Sequence, residues 1–382
     1  MDWNDLAVRA IVLGLAPQLY ARLRAWGTAA VPPRAWTKLK VSYQAQVARS
    51  AAIYAQLGEV LAAAAAAGLR PIALKGVHLT ACYYAEPALR PMNDIDLLFE
   101  PGELAAAEKL LAGLGYAGHF KDPNLGPGVT KHTSTFSRPG SGEGASAPNP
   151  YLSAGAGRMV EPHTSLEESW FGLKVDITQG VRERAIPTAL AGHPARVLCA
   201  EDLLLHTCVH FCFHFIMGAP GLVQLGDVLA ITAANEGGAP PLNWPAFGRR
   251  AVARGAAPYA LACLRLAQSL LGAPAPAETL ALLARATPRR LWRHITGLDL
   301  AQLLARSQRP PLTGLGQRVG RGLSDRREAA RWAADWPGRW RVWQTAFNPL
   351  RTDTGRLLLK RPLKTAGRQG LEAAADRGRA GT

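Results

Sequence analysis

Between Leu74 and Glu100 the chain reads LKGVHLTACYYAEPALRPMNDIDLLFE, and in its last apolar run Asp94 and Asp96 stand two residues apart. Residues i and i+2 of a β-strand point to the same face, so the apolar surroundings force both carboxylates onto one side of a largely buried sheet. Two like charges beside a core are costly without a cationic partner, and a divalent cation is the simplest one. A solvated strand end or an aspartate helix cap would explain one acid, but not a second on the same face. Upstream, Lys75-Gly76 closes the short apolar run RPIAL and precedes the helical pattern VHLTACYY. Gly76 therefore sits where a helix start offers free N–H groups to an anion. Hard oxygen ligands for Mg²⁺ beside a phosphate-accepting turn are what phosphoryl or nucleotidyl transfer requires. Arg90, between the two motifs, suits a triphosphate and equally suits a turn.

The rest of the chain places this unit in an α+β architecture. Residues 1–69 carry apolar side chains at three- and four-residue spacing in NDLAVRAIVLGLAPQLYARLRAW, expected as one helix, and again up to Gly68, with a break at VPP. Residues 70–190 alternate short strand patterns (RPIALKG, NDIDLLFE, RMVEPHTSL, GLKVDIT) with helical ones (VHLTACYY, ELAAAEKLLAGLGY), which predicts a small β-sheet core. Inside it, residues 121–157 are dense in Gly, Pro, Ser and Asn and are expected as a flexible loop. Residues 191–300 return to helical patterning, and 301–382 form a basic tail mixing Trp with Arg, expected to be partly disordered. The fold expected is thus a sheet core with flanking helical segments, predominantly helical overall.

Of the sixteen net positive charges, eleven lie in that tail, which holds 17 Lys and Arg against six Asp and Glu. Solubility or anchoring is the expected role of the tail, with an amphipathic helix on the core, and a nucleic-acid surface is the less favoured alternative. Five cysteines without CxxC spacing predict reduced structural thiols. The opening MDWNDLAVRA lacks the basic region of a signal peptide, and no uncharged apolar run reaches bilayer length, so a cytoplasmic protein without a transmembrane segment is expected. His206, His210 and His214 recur every four residues on one helix face. Without the acid of a metalloprotease helix or further ligands, they read as a packed helix first, a cleft wall second and a zinc site last. Asp227 could orient one of these histidines or lie on the helix surface.

ALKGVHL, LRPMNDIDLLF and VEPH together resemble the uncharacterised bacterial nucleotidyltransferase family, a branch of the DNA polymerase β-like superfamily of minimal nucleotidyltransferases. DWNDLAVRAIVLGLAPQLYARL, EDLLLHTCVHFCFH and LVQLGDVLAI extend the resemblance over about residues 1–300. It implies that Lys75, Gly76 and Arg90 lie by the nucleotide and that Asp94 and Asp96 bind Mg²⁺ or Mn²⁺. It also implies a third acid two residues before a histidine, the place of Glu161 ahead of His163. Pro162 between them suits an edge strand. Asp176 is the reserve candidate, and His163, His210 and Asp227 are candidate cleft residues. The activity implied is transfer of a nucleoside monophosphate from an NTP to a sugar, lipid-linked, peptide or small-molecule acceptor, with release of pyrophosphate. The alternatives are a non-catalytic nucleotide- or partner-binding protein on the same fold, and a basic nucleic-acid-binding regulator.

Overall fold

The computed structural model describes residues 2–27, 30–120, 134–138, 158–219, 221–234, 242–307 and 314–347. Most of the 121–157 stretch and the end of the tail lie outside these residues. The first helical stretch is two helices, α1 (Trp3–Val12) and α2 (Ala16–Trp26), because Gly14 at φ +72° turns the chain between them. The long α3 (Pro33–Ala66) starts with Pro in its first turn, where no N–H partner is needed, and ends just before Gly68 at φ +74°. Its Arg49, only 1% exposed, donates Nε–H to the Met92 carbonyl at 2.9 Å and so fixes the chain as it enters the Asp94 strand.

The core follows as β1 (Ile72–Ala73), α4 (Lys75–Cys82), β2 (Asp94–Leu98), α5 (Leu104–Gly113), β3 (Ala117–Phe120), β4 (Ser134–Arg138) and β5 (Arg158–His163). Next come β6 (Glu167–Trp170), β7 (Leu173–Asp176), α6 (Val181–Arg184), β8 (Ile186–Leu190) and β9 (His193–Val197). Seven strands form one mixed sheet in the order β3-β4-β5-β2-β1-β9-β8, and β6-β7 is a separate hairpin. Two pairings are parallel, β2 with β5 and β1 with β9.

Three sequence expectations change here. Part of the 121–157 stretch is strand β4, whose Phe136 is buried; surrounding Gly and Pro hid a five-residue run with one large apolar side chain. The strand of Glu161 lies inside the sheet order, not at its edge. It accommodates Pro162 because its pairing with β4 covers only Arg158–Val160, which makes the strand locally an edge beyond that point. The strands β8 and β9 were not anticipated, since half-polar IPTAL and HPARV lack the apolar alternation of a buried strand.

The helical half comprises α7 (Ala200–Met217), α8 (Leu222–Thr232), α9 (Trp244–Ala253), α10 (Ala257–Leu271), α11 (Ala277–Arg285), α12 (Arg289–Thr296), α13 (Leu300–Ser307), α14 (Leu315–Trp332) and α15 (Trp336–Phe347). One sheet face, with Ile95, Leu97, Phe136 and Val160, packs on α3 and α5. Ile72 and Leu98 on the other side join a larger core with α7, α8 and α10. Among the described residues no helix is long and apolar enough to cross a membrane, and all five cysteines are free thiols.

The tail is not a separate appendage over its described part. Trp332 is 1% exposed, stacks on Tyr259 at 5.5 Å and donates Nε1–H to Glu328 at 2.9 Å, while Ala329 and Val342 join the same core. Both α14 and α15 turn apolar residues inward, as an amphipathic helix on the core requires. Removing a buried indole leaves a cavity, although Glu328 keeps His294 and Arg331, so Trp332→Ala is expected to lower stability by about 3–5 kcal/mol. A shift of the urea unfolding midpoint measures it, and an unchanged midpoint would mean that the tail does not belong to the core.

Candidate active site

The register of two parallel strands builds the site. Asp96 pairs with Glu161 across β2 and β5, Asp94 with Met159 and Leu98 with His163. Because side chains alternate, Asp94, Asp96, Glu161 and His163 share one face, while Ile95 and Val160 fill the core behind. Asp96 is 1% exposed. Its Oδ1 accepts from Lys75 Nζ at 2.8 Å and from His163 Nε2 at 2.7 Å, and His163 Nε2 is 4.0 Å from Glu161 Oε2.

Electrostatics separate the two aspartates. Burial, the neighbouring Asp96 and Glu161 push the Asp94 carboxyl up to about 7 against the pull of Lys75 and Arg90. Burial would raise Asp96 as well, but Lys75 and His163 hold it well below the usual carboxylate range. Lys75 loses by its own burial and gains more from Asp96 and Asp94, so its ammonium is held above its ordinary range.

Lys75 has φ +42°, a left-handed backbone that costs a side-chain-bearing residue of order 1–3 kcal/mol and that sharply turns the chain from β1 into α4. Gly76 follows inside the first turn. A Cβ there would come within 2.9 Å of Arg90 Nη1 and 3.0 Å of Met92 Cγ, so glycine lets Arg90 lie against the helix start. Arg90 is held from behind by Asp227 on α8, with Nη2 to Oδ2 at 2.9 Å and Nε to Oδ1 at 3.1 Å. Tyr84 donates its hydroxyl to the same Oδ1 at 2.8 Å. Asp227 thus orients Arg90 and not a histidine, and at 1% exposure it is no surface residue.

A cleft of about 520 Å³ runs along this face, bordered by Lys75, Gly76, Arg90, Asp94 and Glu161 on one side and by Trp170, His210 and His214 on the other. His210 pairs through Nδ1 with Glu168 Oε1 at 2.8 Å, and its ring centroid is 4.3 Å from that of His214. Two of the three helix-face histidines therefore border the cleft, while His206 is buried. Asp176 lies apart, exposed on β7 and bonded to the Thr178 backbone at 2.9 Å, so it does not join the cluster. Ser307 borders the cleft as well, which carries its wall beyond residue 300. Glu168 and Tyr84 were missed by sequence reasoning; one of two adjacent acids in a short strand and a tyrosine after a helix give no pattern to find.

The profile of a family described as "Uncharacterised nucleotidyltransferase" matches residues 1–272. The chain belongs to this family. No match emerges among curated proteins. A solved structure of the antibiotic-resistance factor ANT(2'')-Ia is similar over 49% of this chain and 86% of that one, at 12% identity and a TM-score of 0.33, too low to carry an argument.

Asp96, Glu161 and His163 each bring a ligand atom within 4.8 Å of the others, and Asp96 Oδ2 is buried with no hydrogen-bond partner. The carboxylate oxygens of Asp96 and Glu161 suit Mg²⁺ or Mn²⁺, while the His163 imidazole is engaged with Asp96. The raised Asp94 has a signature without any ligand. A carboxyl that titrates higher in the folded state than in the unfolded one binds more protons when folded. Stability should therefore fall as pH rises from about 4 to about 7. In EDTA, Asp94→Asn is expected to flatten that slope and unfold at higher urea than the parent at pH 8, with no difference below pH 4. Identical urea midpoints at pH 8 would contradict a raised Asp94 carboxyl.

Proposed function

We propose that the protein is a metal-dependent nucleotidyltransferase that moves a nucleoside monophosphate from an NTP to an acceptor in the cleft and releases pyrophosphate. The reading rests on one observation above all. Asp96 faces Glu161 in register with Asp94 on the same face, and that face opens into the cleft that begins at Lys75-Gly76.

Asp94, Asp96 and Glu161 would hold Mg²⁺ or Mn²⁺, with His163 bracing Asp96 through its 2.7 Å hydrogen bond. A bound ion supplies charge neutralisation on the phosphates and activation of the attacking oxygen. Lys75 and Arg90 bring positive charge to the triphosphate, and Gly76 lets it approach the start of α4. The Asp227 and Tyr84 contacts keep the Arg90 fork from collapsing onto the carboxylates. In this arrangement an acceptor oxygen attacks in line at the α-phosphorus, forming the new P–O bond as the bond to the pyrophosphate oxygen breaks. Trp170, Met217, Leu222 and Val223 give the opposite wall an apolar character suited to a base or an acceptor ring. The acceptor class stays as broad as the family resemblance implies, namely a sugar, lipid-linked, peptide or small molecule, and the protein is read as cytoplasmic.

The test incubates the protein with each α-labelled NTP and cell extract. Mg²⁺-dependent transfer of label is expected, reduced by about 10³-fold or more in Asp94→Ala and Glu161→Ala and unaffected in Asp176→Ala. Retention of activity in Glu161→Ala would remove the third acid from the site. Tight Mg²⁺-NTP binding without transfer under all these conditions would favour the non-catalytic binder.

A further inference from the structure

A second constellation lies at the other end of α7 and has no part in the activity proposed above. Arg249 and Arg250 on α9, Arg254 just after it and Arg184 on α6 surround a pocket of about 180 Å³, with Asp202 of α7 and Gln179 completing its wall. The arginines are not equivalent. Arg184 forks onto Asp202, Nε to Oδ2 at 2.8 Å and Nη2 to Oδ1 at 3.1 Å. Arg250 Nη1 reaches Asp202 Oδ1 at 3.1 Å and Glu201 Oε2 at 3.2 Å. Those two guanidiniums are thereby balanced by two carboxylates. Arg254 Nη1 bonds only the neutral side-chain amide oxygen of Gln179, and Arg249 is exposed with no carboxylate partner among the described residues.

The pocket therefore carries two guanidiniums in excess of its acids. Like charges one helical turn apart, as Arg250 and Arg254 are, repel. The C-terminal end of α9 softens this through its dipole, which lets the arrangement exist before any ligand arrives. The frame is also fixed. Arg182, within the same short helix as Arg184, donates Nη2–H to the carbonyls of Phe99 at 2.9 Å and Thr164 at 2.7 Å, which follow β2 and β5 directly.

We infer that this pocket is an anion site that takes a phosphate group, recognised by Arg249 and Arg254 with Arg184 and Arg250 held in place by Asp202 and Glu201. A phosphate monoester or inorganic phosphate carries about −1.5 to −2 charges at neutral pH, which matches the excess. Planar guanidiniums bond it through paired N–H groups. A pocket of this size suits a phosphate and not a whole nucleotide, so the ligand is inorganic phosphate, pyrophosphate or the phosphate end of a small metabolite.

The test is independent of the proposed activity. The full-length protein is titrated calorimetrically with inorganic phosphate, pyrophosphate and glycerol 3-phosphate in EDTA. One site is expected for at least one of the three, and the tightest of them identifies the source. The double variant Arg249→Gln/Arg254→Gln, altered only at the two arginines without carboxylate partners, should weaken it by about tenfold or more, the worth of one charge-assisted contact. Arg22→Gln/Arg34→Gln removes equal charge from exposed positions elsewhere and should leave binding unchanged. Absence of binding by all three anions up to about 10 mM, undiminished binding by the first variant, or equal weakening by the second would each overturn the site.

Discussion

Three acids and a histidine on one face of two parallel strands form a charge problem that the surrounding structure solves. Uncompensated, a buried carboxylate costs several kcal/mol, and Asp96 is as buried as the apolar residues behind it. Lys75 and His163 both point at its Oδ1, and the left-handed turn at Lys75 is what brings that ammonium down onto the strand. A second neutralised pair, Arg90 with Asp227, stands beside the first and ties the sheet to α8. The cleft is the gap left between these two pairs and the histidine face of α7.

What the sequence disclosed follows from which signals are local. Asp94-x-Asp96 within an apolar run is a period-two pattern, so a shared face could be deduced without knowing any partner strand. Glu161 was a different matter. Its place beside Asp96 is set by register between strands more than sixty residues apart, and only the family resemblance pointed to it. Asp227 was noticed but assigned the wrong partner, since nothing local says that α8 packs against the turn holding Arg90 and Tyr84. Gly76 was read as room for a phosphate, while its immediate neighbours are Arg90 and Met92. That glycine is explained by protein packing alone, and the close approach of a phosphate is a further use of the same space.

The basic tail shows that a strongly charged segment can still pack. The amphipathic helix expected on the core is present, and Ala329, Ala330, Trp332, Ala333 and Val342 hold it there. Each arginine between them can keep its guanidinium in water while the helix buries the opposite face. Arg326 is the exception: it is buried, its guanidinium lies over the ring of Phe171 at 5.0 Å, and it donates to the Gly322 carbonyl and the Thr345 hydroxyl, each at 3.1 Å.

Arg306 has a consequence for how the molecule comes into being. It donates to the carbonyls of Phe215 and Ile216, each at 2.8 Å, and so closes the end of the histidine helix some ninety residues earlier. Chains emerge from the ribosome N-terminal end first, at about 5–20 residues per second. The sheet with its acids is thus exposed for several seconds before the helices that wall the cleft and cover the apolar face of α7 have been made. Through that interval the nascent protein has a charged face without its enclosure and a greasy helix without its lid, which makes early chaperone engagement a property to look for in its biogenesis.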